Sequence, residues 1–165
     1  MTATSGKIKI PFEGKEVTAR KLTVSSIIPI DIYTAWEKVK TSALLVFITK
    51  GKVKFKPAGE QFPASWKEND TVATKMLLYG LIPFGGIHTL YFEKIDNENR
   101  CMQTSERDRI TKVWRHTISM QKIRDHSICY TDEVIIYAGL MTGIVTWWAK
   151  YFFIHRQQRW KLLTK

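Results

Sequence analysis

The sequence has little cysteine and no hydrophobic run long enough to cross a membrane. Its two cysteines, Cys101 and Cys129, are too few for a disulfide framework and lack the paired spacing of a zinc site. Residues 1–12 contain no apolar segment of signal-peptide length. The most apolar stretch, 140–154, is shorter than the roughly 18 residues of a membrane span and contains Lys150. We therefore expect a cytoplasmic protein with no metal site and no cofactor.

Acidic residues are scarce relative to basic ones. The chain has 26 lysines and arginines against 15 aspartates and glutamates, a formal net charge of +11 and a pI near 9.7. A positive field of this size attracts nucleic acids, anionic membranes and acidic ligands alike. No zinc finger, recognition-helix pattern or RNP-type aromatic motif accompanies the charge, which argues against a nucleic-acid partner.

The most concentrated basic cluster consists of Lys50, Lys52, Lys54 and Lys56, which alternate with uncharged residues. On an extended chain this spacing puts four ammonium groups on one side. One interpretation is a solubilising edge strand, since lysines on an edge deter pairing with other sheets. The other is an anion-binding edge that contacts an anionic membrane surface.

The length of 165 residues and the hydrophobic content of 44% predict a single globular domain, 1–165. Within it, residues 1–16 are expected to be a flexible or extra N-terminal segment. Alternating apolar residues predict a strand over 17–28. Two short helices should follow, the second of them over 42–48 with Thr41 or Ser42 as its N-cap.

The long connection 51–69 is rich in turn residues, such as Pro57, Gly59 and Pro63. Connections of this length in compact domains are usually functional or mobile. We therefore expect the part from Gly51 to Trp66 to gate access to a binding site.

The second half of the chain predicts an antiparallel meander followed by a long helix. Period-two patterns separated by short polar or glycine-bearing turns predict five strands, over 71–79, 87–95, 100–106, 112–123 and 126–138. From 140 to 163 the chain predicts one helix, apolar nearly all round in its first half. Such a helix must be covered on most sides, so we expect it to cross the concave face of the sheet.

This order of elements resembles the START-like superfamily, which includes polyketide cyclases, lipid-transfer domains and coenzyme Q-binding proteins. Short stretches similar to those of bacterial ligand-binding members add to the resemblance: Pro29-Ile30-Asp31 with Trp36, Trp114-Arg115-His116, Tyr130-Thr131-Asp132, and the run from His155 to Trp160. The resemblance implies an α+β helix-grip fold. In that fold a curved antiparallel sheet of about six strands surrounds a long C-terminal helix, two short helices follow the first strand, and an apolar ligand lies between sheet and helix. The glycine-rich loop of the plant allergen branch is missing, so no ligand preference of that branch is carried over.

Strand alternation selects three ionisable residues that face this interior. His116 lies on the apolar side of its predicted strand, and Asp132 lies on the apolar side of the next. A hairpin centred on Arg124 would set His116 opposite Asp132, with their Cβ atoms about 5 Å apart. Glu106, on the side of its strand that carries Met102, would lie nearby.

Three roles stay open for these groups. His116 and Asp132 would form a structural pair, orient a hydroxyl or carbonyl of a ligand, or act in catalysis. In the catalytic role His116 would be a general base that removes an acidic proton, with Asp132 or Glu106 orienting it. The remaining predicted ligand-binding residues are hydrophobic or aromatic: Trp114, Ile118, Tyr130, Trp147 and Tyr151.

Two further groups are assigned no role in binding. The basic residues near the end of the last helix, including Arg156 and Arg159, suit the negative end of the helix dipole and are interpreted as structural. His88 falls on a predicted strand without an identifiable partner.

From these features we expect reversible binding of a hydrophobic small molecule such as a lipid, an isoprenoid or an aromatic polyketide. A cyclase or dehydratase that uses His116 and Asp132 is the first alternative. A basic peripheral module that docks on anionic membranes through the four lysines is the second. The sequence does not distinguish a monomer from an oligomer.

Overall fold

The computed structural model describes residues 1–164, so Lys165 of the predicted domain lies outside the described residues. Eight antiparallel strands form one curved sheet in the order β1-β2-β8-β7-β6-β5-β4-β3. The strands are β1 (Thr2–Phe12), β2 (Lys15–Ile28), β3 (Val53–Pro57), β4 (Thr71–Leu78), β5 (Ile82–Asp96), β6 (Cys101–Arg107), β7 (Val113–Arg124) and β8 (Ser127–Tyr137). The helices are α1 (Ile32–Val39), α2 (Ser42–Thr49) and α3 (Thr142–Trp160).

The helix-grip architecture agrees with the prediction, but the sheet has eight strands and not about six. β1 pairs along its length with β2, from Thr2 opposite Ser25 to Phe12 opposite Lys15. β1 is an edge strand with mostly exposed side chains, so it lacks the apolar alternation by which buried strands are recognised. The other additional strand, β3, lies inside the predicted long connection.

β5 begins at Ile82 and not at 87, because the segment predicted as a turn continues the strand. Gly85 and Gly86 lie in this segment with φ of 69° and 74°, close to the point where the register of β4 and β5 shifts. A Cβ atom on Gly85 would lie 2.8 Å from Cγ of Asp108. Glycine is therefore required here for Asp108 to approach β5.

α2 begins at the predicted residue, Ser42, and ends at Thr49, next to the predicted end at 48. Asp31 caps α1 by accepting a hydrogen bond from the backbone N–H of Thr34, and Thr41 caps α2 by accepting one from Leu44. α3 was predicted as one continuous helix; it is flanked by 3-10 turns at Gly139–Met141 and Lys161–Thr164. Within residues 1–164, no helix has both the length and the hydropathy needed to cross a bilayer.

The core lies on the concave face, between the sheet and the helices. One cluster packs α1, α2 and the end of α3 around Trp36, Tyr130 and Trp160. A second cluster packs the middle of α3, including Phe152 and Phe153, against β2 and β8. Members of both clusters line a cavity on this face.

Candidate functional site

A cavity of about 250 Å³ lies between the concave face of the sheet and α3. Most of its lining is apolar, with Leu44 from α2, Phe55 from β3, Met102 from β6 and Phe152 from α3 among the residues that contribute. Its volume is slightly below the roughly 300–1,000 Å³ of typical small-molecule pockets. The cavity therefore has room for a small apolar molecule.

One wall of the cavity is polar and carries four ionisable side chains of a row of five; the fifth, Asp132, is not among the described lining residues. In spatial order the five are Asp132, His116, Glu106, His88 and Asp108, here called the acid–histidine row. Nε2 of His116 lies 2.8 Å from Oδ1 of Asp132, and Nδ1 lies 3.8 Å from Oε1 of Glu106. Nε2 of His88 lies 2.9 Å from Oε2 of Glu106, and Nδ1 lies 3.2 Å from Oδ2 of Asp108. Carboxylates and imidazoles thus alternate along the row.

The acid–histidine row results from a stagger that repeats across four strands. Asp132 on β8 lies directly opposite Ile118 on β7. Glu106 on β6 lies directly opposite Trp114 on β7 and opposite Leu90 on β5. His116 therefore meets Asp132 and Glu106 diagonally, two residues away from each direct pair, and His88 meets Glu106 in the same way. Asp108 follows the last residue of β6 and extends the row beyond that strand. Diagonal neighbours on one face of a sheet are within reach of long side chains. The result is an oblique row of inward-facing groups across β8, β7, β6 and β5.

Asp132 is fully buried and linked to three elements of the fold. Its Oδ2 accepts a hydrogen bond of 2.9 Å from Nε2 of Gln157, which also donates to the carbonyl of Val24 at 2.7 Å. Its Oδ1 lies 3.3 Å from the hydroxyl of Tyr130, which donates to it. These contacts tie α3 to β2 and β8, so Asp132 contributes to the packing as well as to the site.

At the other end of the row, contacts with neighbouring groups outweigh burial in shifting the pKa values of His88 and Glu106. Burial lowers the pKa of His88, but hydrogen bonds to Asp108 and Glu106 outweigh burial and raise the pKa to about 9. Burial alone raises the pKa of Glu106, whereas its contacts with His116 and His88 bring the pKa well below its usual range. At neutral pH, His88 is therefore a cation beside ionised Glu106.

His116 and Asp132 form a second ion pair. Burial lowers the pKa of His116, but Asp132 and Glu106 raise it above its usual value. Burial raises the pKa of Asp132, while the charge of Arg156 and the hydrogen bond from His116 give a net lowering. Three basic groups, His88, His116 and Arg156, thus lie among the three carboxylates of the row.

Arg156 lines the cavity although only 7% of its surface is exposed. Its guanidinium carbon lies 4.8 Å from the ring centroid of Phe153, a distance suited to a cation–π contact. Within the described residues its Nε atom has no hydrogen-bond partner. A buried donor without a partner is energetically costly. The prediction that Arg156 is merely a helix-end cation missed this position.

The structure separates the predicted ligand-binding residues into two groups. Trp114, Ile118 and Trp147 line the cavity, although Trp147 is 72% exposed and lies at its mouth. Tyr130 is buried behind the wall against Trp160, with ring centroids 5.5 Å apart. Tyr151 is 46% exposed, and its hydroxyl accepts a hydrogen bond from Lys52 on the outer surface. Of the predicted ligand-binding residues, His116 also lines the cavity, whereas Asp132 and the two tyrosines are not among the described lining residues.

The predicted hairpin register is wrong by two residues. His116 lies opposite Val134, while Ile118 lies opposite Asp132. The turn is formed by Asp125 and His126, because Arg124 pairs with Ser127, and the register shifts near Lys122. A shift of two residues keeps every side chain on its face, so His116 and Asp132 still meet.

The sequence analysis missed His88 and Asp108 as members of the site. Both follow the alternation of residues that face inward: His88 precedes Leu90 and Phe92 by steps of two, and Asp108 follows Glu106 by the same step. This spacing of two residues was the signal in the sequence that could have identified His88 and Asp108. Their partnership depends on how β5 pairs with β6, which the pattern of a single strand does not define.

The four lysines do not lie on one strand as predicted. Lys54 and Lys56 are exposed on β3, which is an edge strand. The interpretation as a solubilising edge strand predicts this position. Lys50 and Lys52 lie in the turn between α2 and β3, where Gly51 has φ of 90°. These two lysines therefore do not belong to the alternating pattern of β3. The connection 58–70 that follows is anchored at Trp66, which stacks on Phe92 with ring centroids 4.9 Å apart.

Among residues 1–164, no group of three or more histidine, cysteine, aspartate or glutamate side chains has the arrangement of a metal site. In the acid–histidine row each imidazole nitrogen faces a carboxylate, at hydrogen-bond distance in three cases and at 3.8 Å between Nδ1 of His116 and Glu106.

The fold and the cavity define a protein with the START-like helix-grip fold, in agreement with the resemblance of the sequence. The chain belongs to the family described as Domain of unknown function (DUF8410), whose model matches residues 59–162. No curated protein matches the sequence significantly.

Three solved structures illustrate the similarity of fold. Norcoclaurine synthase from Thalictrum flavum, in complex with dopamine and hydroxybenzaldehyde, is 10% identical with a TM-score of 0.65, covering 88% of this chain and 86% of that chain. A START superfamily protein from Mycobacterium smegmatis is 8% identical with a TM-score of 0.65, and the match covers 86% of this chain and 94% of that chain. Major latex-like protein 151 from Panax ginseng is 12% identical with a TM-score of 0.62, covering 86% and 95%. These similarities concern the fold.

Proposed function

We propose that the protein reversibly binds a hydrophobic small molecule in the cavity between the sheet and α3. The observation that carries the proposal is an apolar cavity of about 250 Å³ with one polar wall, on which carboxylates and histidines alternate. Transfer of apolar ligand surface from water would drive binding at about 25 cal/mol per Å².

The polar end of the ligand would carry a hydrogen-bond acceptor. Arg156, which lines the cavity, has an unpartnered donor at Nε, and Nδ1 of His116 on the same wall lies 3.8 Å from Glu106, too far for a hydrogen bond. A carbonyl, carboxylate or hydroxyl oxygen would meet both donors. Lipids, isoprenoids and aromatic polyketides all combine such an oxygen with a large apolar surface. The norcoclaurine synthase complex, with two small aromatic molecules, supports the ability of this fold to hold aromatic ligands.

A fluorescent apolar probe, anilinonaphthalene sulfonate, tests the proposal. Val145 lines the cavity on α3, and Val145→Phe should fill part of it and weaken probe binding at least about tenfold. Val46 is exposed on α2, so Val46→Phe is a matched control that should leave binding unchanged. Equal affinities in both variants and the wild type would contradict binding in the cavity.

Acid–base catalysis is a second candidate, because two groups of opposite protonation face the cavity. His116 has a raised pKa and holds a proton to donate, whereas Glu106 has a lowered pKa and stays ionised. On a bound β-hydroxy ketone, Glu106 would take the proton next to the carbonyl while His116 protonates the hydroxyl. A carbon–carbon double bond forms and water leaves. In this mechanism Glu106 is the base in place of His116, because the raised pKa of His116 favours its protonated form and the lowered pKa of Glu106 favours the carboxylate.

Mass spectrometry of a β-hydroxy ketone incubated with the protein tests this candidate. Loss of water from the substrate, abolished by Glu106→Gln while the affinity is kept, would support it. An unchanged substrate mass in the presence of the wild type would contradict it, and the binding proposal would be unaffected.

A further inference from the structure

We infer that the surface around the mouth of the cavity docks onto an anionic phospholipid bilayer. This mouth surface consists of one exposed stripe on the start of α3 and the turn preceding it, together with the tip of the β4–β5 hairpin. Its residues are hydrophobic or aromatic: Leu140, Ile144, Trp147 and Tyr151 in the stripe, and Tyr79, Leu81 and Ile82 at the hairpin tip.

The stripe has the spacing of a helix face that is directed outward. Steps of four, three and four residues separate its members, which places them on one side of a helix. Trp147 is 72% exposed and Leu81 at the hairpin tip is 82% exposed. Soluble proteins rarely expose a contiguous apolar patch of this kind unless it contacts a partner or a membrane.

The stripe and the hairpin tip are neighbours. Nζ of Lys52 lies 4.5 Å from the ring centroid of Tyr151 and 5.4 Å from that of Tyr79, so one ammonium group contacts both parts. Behind them, Phe84 of β5 stacks on Trp148 of α3 with ring centroids 6.4 Å apart. The mouth surface is therefore continuous. Ile144 and Trp147 also line the cavity, so the cavity opens onto this surface.

Charge decides which partner this surface fits. The segments 38–59, 71–92 and 134–165 contribute the mouth surface and its surroundings, and none of them contains a carboxylate. They contain the four lysines from Lys50 to Lys56, of which Lys54 and Lys56 are exposed on the neighbouring edge strand. Apolar and aromatic residues beside lysines, without acidic residues, match the interface of an anionic membrane.

A second copy of the chain fits this surface less well. Two copies joined through their mouth surfaces would bring two lysine-rich margins together without any carboxylate from these segments to neutralise them. Such like-charge contacts disfavour association. An anionic bilayer supplies both the missing negative charge and an apolar layer for Trp147 and Leu81.

Sedimentation with vesicles tests the inference. The wild type should bind vesicles of phosphatidylcholine mixed with phosphatidylserine and bind pure phosphatidylcholine at least about tenfold more weakly. Among the six tryptophans, Trp147 alone is in the exposed class, so binding should shift the tryptophan emission to shorter wavelength. Trp147→Phe should remove most of that shift.

Two matched pairs of variants locate the contact. Leu81→Glu should weaken vesicle binding at least about tenfold, whereas Ile123→Glu, at the exposed far end of β7, should not. Neutralising Lys54 and Lys56 with glutamine should weaken binding, whereas the same change at Lys7 and Lys15 on the other edge of the sheet should have little effect.

Several outcomes would overturn the inference. They are no binding to phosphatidylserine vesicles, equal losses in test and control variants, or self-association in the absence of lipid that Leu81→Glu abolishes. Leu81 is not among the described lining residues, so Leu81→Glu should keep its affinity for anilinonaphthalene sulfonate. The docking surface and the cavity proposal can therefore fail separately.

Discussion

At the scale of residues, the two buried histidines separate three carboxylates that would otherwise repel one another. Glu106 stands between His88 and His116, and each histidine has a second carboxylate on its other side. Removing one partner from such a buried array leaves an uncompensated charge, which typically costs 3–5 kcal/mol. The raised pKa values of both histidines mean that protonation of the imidazoles stabilises the array.

The pH dependence of stability should reveal the protonated state of His88. The folded protein keeps this proton up to a pKa of about 9, whereas the unfolded chain loses it near 6.5. The stabilisation is complete below pH 6.5 and is lost as the pH rises through 9, by an amount on the order of 3 kcal/mol. The free energy of unfolding should therefore fall over this range.

Chemical denaturation of His88→Gln across this pH range provides the measurement. The decline with pH should become shallower, and the part that remains should come from His116. His126→Gln changes an exposed histidine of the β7–β8 turn and should leave the decline as it is. A wild-type free energy of unfolding that stays constant or rises from pH 6.5 to 9 would refute the protonated array.

The unpartnered Nε of Arg156 should select probes by their acceptor group. Arg156→Met keeps much of the side-chain volume but removes the donors. It should weaken anilinonaphthalene sulfonate binding about tenfold or more and leave the binding of uncharged N-phenylnaphthylamine nearly unchanged. Arg115→Met, on the exposed outer face of β7, is the control. Equal effects on both probes would argue against an acceptor site at Arg156.

At the scale of single residues, the sequence predicted the inward direction of His116, Asp132 and Glu106, because strand alternation assigns each side chain to a face. It did not predict that His88 and Asp108 complete the row. Cross-strand contacts depend on register, which requires knowledge of both strands and the turn between them. Arg156 was missed because a cation near a helix end has a sufficient local explanation.

At the scale of elements, the N-cap of α2 stabilises a helix that forms part of the cavity wall. Oγ1 of Thr41 accepts a hydrogen bond of 3.2 Å from the backbone N–H of Leu44, and both Leu44 and Ile48 line the cavity. Thr41→Ala should lower the free energy of unfolding by about 1 kcal/mol, whereas Thr41→Ser keeps the acceptor and should lose much less. Thermal or chemical denaturation measures the difference; equal losses would show that the cap does not support α2.

The β7–β8 hairpin shows why direction was easier to predict than register. The apolar pattern allows any shift by an even number of residues, since each keeps Ile118, Tyr130 and Asp132 facing inward. Only the turn distinguishes these shifts, and it lies at Asp125 and His126. His126 has φ of 54°, an uncommon conformation for a residue other than glycine. The turn therefore contains no glycine that would mark its position in the sequence.

At the scale of the whole molecule, the order of elements was predictable, but the extent of the sheet was not. The meander and the terminal helix carry strong apolar periods, whereas β1 is largely exposed and β3 has only five residues. In β3 the alternation of Val53 and Phe55 with lysines was interpreted as a pattern of charge. The same alternation directs Val53 and Phe55 into the cavity lining and leaves Lys54 and Lys56 exposed.

The most direct test of the central claim is a crystal structure of the protein with anilinonaphthalene sulfonate. The account predicts that the aromatic rings lie between the sheet and α3, with the sulfonate within hydrogen-bond distance of Arg156. A probe bound only on the outer surface, with the cavity filled by rearranged side chains, would contradict it.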